Sequence, residues 1–145
     1  MKPRAFTLIE MLLSIAVIAI LAAIMTPIFL SFQTRNDIDV ASLAVVRNVY
    51  RAQQLARNGE GDSPWGVNLS SGAITVFKGA TYAGRDASYD EIFSIPDNIT
   101  LAGTSTIVFS KMYGLPSASS TIILTSINNE ARTVDINAKG TVSNR

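Results

Sequence analysis

Few residues in this chain are of types that do chemistry. It has no cysteine and no histidine, so thiol nucleophiles, disulfides and the commonest general base and metal ligand are missing. Carboxylates gather once, where Asp86, Asp90, Glu91 and Asp97 fall within twelve residues. Such a run could offer oxygens to calcium, but it lacks the alternation of an EF-hand loop, and Arg85 competes for it. A solvated acidic loop is the expectation. Trp65, Tyr50, Tyr82, Tyr89 and Tyr113 could stack on single-stranded nucleic acid, although rings in a small domain more often pack inward. No Gly-rich phosphate loop and no nucleophile–base pair is present. The chain is read as a non-enzyme, with no metal and no cofactor expected.

One carboxylate stands apart. Glu10 lies at the edge of Met11–Phe32, a run without a single charge. As a helix this run is long enough to cross a hydrocarbon core of about 30 Å. Its twelve Leu, Ile, Val and Phe residues contribute about −5 kcal/mol to insertion, against roughly +3 kcal/mol for a carboxylate inside the span. Insertion therefore does not depend on where Glu10 sits. Lys2 and Arg4 precede the run and hold the short amino-terminal end in the cytoplasm, which exports the rest. A cleaved secretory signal fits poorly, because the run is too long and Pro27-Ile28-Phe29-Leu30 stands where a small-x-small site belongs. A plain membrane anchor for an extracytoplasmic binding domain fits better, but leaves Glu10 without a role.

Ala5-Phe6-Thr7-Leu8-Ile9-Glu10 resembles the processing site of type IV prepilins and pseudopilins. In that family a short basic leader ends in a small residue, and a prepilin peptidase cuts before the phenylalanine and methylates the new amine. The resemblance implies cleavage between Ala5 and Phe6, N-methylation of Phe6, and an assembly contact between Glu10 and the Phe6 amine. A charged amine in an apolar setting needs a partner, which is the physical reason for such a carboxylate. Ala5 departs from the usual glycine. Pro27 stands where many pilins carry a helix-bending proline. Implied partners are other pilin or pseudopilin subunits, the prepilin peptidase, an inner-membrane assembly platform and membrane lipid. The implied location is the cytoplasmic membrane, single-pass with the head outside, and then a filament in the periplasm or at the cell surface.

These residues need elements to place them. Ile38, Ala41, Val45, Val49, Ala52 and Ala56 recur at steps of three and four, with Arg47, Arg51, Gln54 and Asn58 opposite. The helix is therefore predicted to continue to about Arg57, where Asn58-Gly59 stops it. Beyond it, Trp65–Leu69 and Ala73–Phe77 flank Ser70-Ser71-Gly72 as a hairpin. Gly79–Tyr89 reads as a loop. Further strands are predicted at Glu91–Ile95, Thr106–Ser110, Thr121–Ile127 and Thr133–Ile136, and Lys139-Gly140 turns into a last short one. The expected class is α+β, a long helix laid on an antiparallel sheet. Its expected divisions are a leader at 1–5, a membrane or filament-core helix at 6–32, an amphipathic helix at 33–57 and a β-rich head at 58–145.

The run Ile107-Val108-Phe109, Gly114, Thr121-Ile122-Ile123-Leu124, Val134-Asp135-Ile136 and Gly140 resembles the head of H-type (GspH/FimT-like) minor pseudopilins. Some relatives of this kind take part in DNA uptake through basic carboxy-terminal residues, here Arg132, Lys139 and Arg145. Charges beyond Phe32 balance, ten of each sign, which leaves no electrostatic footprint for bulk nucleic-acid binding. Nucleic acid is therefore not the expected partner. Asn68-Leu69-Ser70 and Asn98-Ile99-Thr100 fit the glycosylation triplet but are common by chance, and no role is assigned to them.

Overall fold

The computed structural model describes residues 6–145. The chain divides into two compact units, residues 1–33 and 34–145. One helix, α1 (Leu8–Arg57), contributes to both.

In the first unit α1 is uncharged from Met11 to Phe32, and its described side chains there are exposed. By length and composition it is a candidate membrane span. The side chain of Pro27 lies outside the described residues, as does the leader with Ala5.

In the second unit α1 buries one stripe. Ile38, Ala41, Val45, Val49, Ala52 and Ala56 are all at 0% exposure. Three of the six are alanines, which lets the sheets approach the helix closely. The helix stops after Arg57, where Gly59 takes a left-handed conformation at φ 65°.

Eight strands follow, β1 (Trp65–Ser70), β2 (Ala73–Lys78), β3 (Asp86–Ser94), β4 (Ile99–Gly103), β5 (Thr106–Phe109), β6 (Ser120–Ser126), β7 (Ala131–Ile136) and β8 (Val142–Asn144). The class is α+β. The sheets, however, are two antiparallel four-stranded ones, in the orders β3-β2-β1-β5 and β4-β6-β7-β8. Val67, Leu69, Ile74, Val76, Ile107 and Phe109 from the first meet Ile99, Ile122, Leu124, Val134 and Ile136 from the second around the α1 stripe. Each fully buried aliphatic side chain in this core contributes roughly 1.5–3 kcal/mol.

Two predictions of detail are corrected. Asp86–Tyr89, read as loop, forms the first half of β3. Three of its four residues are polar and all four are exposed, on both faces of an edge strand, so no alternation marks them. Strand β4 was not predicted; Ile99 and Leu101 alternate inward over only five residues.

The outer face of the first sheet has its own small cluster. Gly66 pairs with Phe77 across β1 and β2, and a Cβ on Gly66 would lie 2.6 Å from the Phe77 ring. The ring thus covers the backbone that the glycine leaves bare. Tyr82 meets Phe77 edge-on at 5.3 Å, and the Arg85 guanidinium caps Tyr82 at 3.9 Å.

Candidate functional site

The Phe6–Glu10 segment is placed by a helix cap. Thr7 precedes α1, and its Oγ1 accepts the Glu10 amide N–H at 3.3 Å. Its carbonyl accepts the Met11 N–H at 3.2 Å. Thr7 and Glu10 thus occupy the first and last positions of a capping box, the threonine satisfying one amide of the first turn. Glu10 lies in that first turn, where a carboxylate opposes the positive end of the helix dipole. The Ser14 hydroxyl donates to the Glu10 carbonyl at 2.8 Å. No side chain among the described residues pairs with the Glu10 carboxylate, which is exposed together with Phe6. Sequence reasoning had only the spacing of threonine and glutamate to find this cap, and passed over it.

The carboxylates of the acidic run do not converge. Arg85 Nε holds both Asp90 oxygens, at 3.1 and 2.8 Å. Arg51 takes Glu91 with two donors, Nη2 to Oε1 at 2.6 Å and Nε to Oε2. Asp86 accepts from the Ser88 hydroxyl at 2.6 Å and from its amide at 3.2 Å. Among the described residues no group of three or more carboxylates comes together as a metal site.

Paired carboxylates give the head an acid limit. The Arg51 guanidinium, through its hydrogen bonds, holds Glu91 below the usual carboxylate range and the arginine above its own ordinary value. A lowered folded-state pKa means that the pair's contribution is present above the unfolded carboxylate range and fades as pH falls through the depressed value. Both groups are part-exposed, so the effect is modest. Glu91→Gln is expected to flatten the acid limb of stability against pH while leaving the neutral plateau within about 1 kcal/mol, read by denaturant unfolding at stepped pH.

The rings are mostly structural. Trp65 is buried at 3% exposure, and its indole N–H donates to the Glu60 carbonyl at 2.8 Å. Tyr89 meets it edge-on at 6.3 Å and receives Lys78 over its face at 4.0 Å. Tyr50 and Tyr113 are exposed and share no ring contact. The three carboxy-terminal cations have different surroundings. Arg132 donates to Asp39 on α1 at 2.9 Å. Lys139 lies in the turn before β8, and the Arg145 backbone pairs with Thr133.

Arg132 belongs to a clasp that sequence reasoning did not find. Arg35 donates to Glu130 at 2.8 Å, Asn98 to Asp37 at 2.9 Å and Asn144 to Ser42 at 3.2 Å. These contacts tie the 35–42 stretch of α1 to the β-rich part of the second unit.

The described residues thus combine an uncharged amino-terminal helical run, opened by Phe6–Glu10, with a head of one helix and two antiparallel sheets. Residues 1–26 match the family described as the prokaryotic N-terminal methylation motif. The fold is similar to that of the minor pseudopilin EpsH from the type 2 secretion system of Vibrio cholerae, with a TM-score of 0.57 at 10% identity. That likeness covers 75% of this chain and 96% of the other. No curated protein matches the sequence.

Proposed function

We propose that the chain is a structural subunit, a minor pilin or pseudopilin, of a type IV pilus or type II secretion-like filament. The methylation motif at residues 1–26, on a chain with a pseudopilin fold, carries this reading. Met1–Ala5 is the leader, and a prepilin peptidase cuts before Phe6 and methylates its amine. The 6–32 segment holds the subunit in the cytoplasmic membrane with the head outside, then packs against like helices in the filament core. Pro27 bends that helix. Partners are other subunits, the peptidase, the assembly platform and lipid. DNA contact through Arg132, Lys139 and Arg145 has less support, since Asp39 already engages the first of the three.

Mass spectrometry of the mature protein tests the assignment. The expected amino terminus is N-methyl-Phe6, absent when the peptidase is deleted. An intact Met1 in cells with an active peptidase overturns it.

A further inference from the structure

β3 ends its sheet, so one of its edges is hydrogen-bonded to β2 and the other to no strand. None of its nine residues is buried. A long unpaired edge is a template for another extended chain, and folds usually cover it or break it with proline, charge or a bulge. β3 has no proline or lysine; Asp86, Asp90 and the bulge against Val76–Lys78 protect its first half, and from Glu91 to Ser94 the one charge is Glu91, already paired with Arg51.

A groove of about 960 Å³ runs between this strand and α1. Four consecutive β3 residues, Glu91 to Ser94, line it. Successive side chains of a strand point to opposite faces, so a groove touching all four follows the edge itself. Ile92 and Phe93, 68% and 37% exposed, supply apolar surface with Tyr50 from the helix. The charges are unequal. Arg51 and Glu91 neutralise each other, whereas Arg47, also on the groove wall, has no partner among the described residues. We propose that this groove takes an extended segment of a different protein subunit, which adds a strand to β3 and sets a carboxylate beside Arg47.

The choice of partner rests on the filament reading. Asp37 meets Asn98 and Arg51 meets Glu91, so α1 and β3 run in opposite directions. Two copies joined antiparallel through β3 therefore have the head portions of α1 opposed, which a filament of like-oriented subunits does not allow. Parallel pairing sets Asp86, Asp90 and Glu91 against their own equivalents. The other edge strands of a second copy carry no carboxylate to set beside Arg47. β4 is uncharged, β8 leads into Arg145, and β5 is met by Pro116 through a bridge to Phe109.

The test uses the full chain in detergent micelles and fluorescent, end-blocked peptides of alternating valine and threonine with one central aspartate. Anisotropy is expected to show saturable binding, roughly tenfold weaker when lysine replaces the aspartate. Arg47→Glu should reverse that order. N-methylating one alternate set of peptide amides should abolish binding and the other set leave it, because a strand bonds its neighbour through alternate residues. Equal binding of the two peptides, equal sensitivity to both N-methyl sets, or no binding up to about 1 mM overturns the proposal. A dimer of the chain that the peptide dissociates overturns the partner assignment. An intact Met1 defeats the filament reading and leaves the peptide result standing, so the two failures are distinguishable.

Discussion

Glu10→Ala is expected to abolish incorporation into filaments while membrane insertion and removal of the leader continue. Insertion is independent of Glu10, because the uncharged Met11–Phe32 run supplies about −5 kcal/mol without it. Within the proposed function, what the substitution removes is the partner of the Phe6 amine. Stripping one member from a buried ion pair costs about 3–5 kcal/mol, since the remaining charge is left desolvated. Per subunit that is roughly two to four orders of magnitude in the assembly equilibrium. Glu10→Gln keeps a hydrogen-bonding group of similar shape without the charge, and should recover little. Glu10→Asp keeps the charge on a shorter stem and should recover part. The measurement is the ratio of sheared-filament to membrane-bound subunit by immunoblot, with the amino terminus checked by mass spectrometry. Wild-type incorporation of a processed Glu10→Ala subunit removes this residue from assembly.

The same segment shows how far a sequence can be read. The Phe6–Glu10 pattern was legible because its residue types are unusual at that place, a carboxylate beside an uncharged run. The helix stripe was legible because burial on one side of α1 imposes a period of 3.6, and all six residues of Ile38 to Ala56 named from it are buried. The β1–β2 hairpin announced itself through Ser71-Gly72, with the glycine at φ 78°. The first half of β3 did not, because an edge strand exposed on both faces is under no pressure to alternate, whereas its second half was expected from Glu91 onward. The division into two sheets was hidden for a related reason. Every inward strand residue carries the same aliphatic signature whichever sheet it belongs to, and only pairing separates them. Polar contacts distant in sequence were the least legible of all. Nothing local marks Arg35, Asp37, Asp39 or Ser42 as partners of residues 130, 98, 132 and 144.

Gln53 is the sharpest case of that last kind, and its loss should be the most damaging single change in the head. It lies next to the apolar stripe and is only 3% exposed. Its amide nitrogen donates to the Gly114 carbonyl at 2.9 Å and to the Gly140 carbonyl at 3.1 Å. The first carbonyl belongs to the loop after β5 and the second to the turn before β8, so one side chain ties an end of each sheet to α1. Gly140 is required here twice over. Its φ is +78°, and a Cβ would stand 2.1 Å from the Gln53 nitrogen. Gln53→Leu preserves volume but leaves both carbonyls without their donor, at about 1–3 kcal/mol for each buried group. A total of roughly 2–5 kcal/mol corresponds to a fall of about 10–20 °C or more in Tm for a domain of this size. Trp65, the sole tryptophan, reports the unfolding by fluorescence of the full chain in micelles. Gly140→Ala should be similarly damaging, and less so in a Gln53→Ala background, where the clash disappears and only the backbone strain remains. A Gln53→Leu chain as stable as wild type, or additive losses in the double variant, would show that the two loops are held by their own backbone bonds, of which Gly114 N–H to Ser110 and Gly140 N–H to Asn137, each at 2.8 Å, are the available ones.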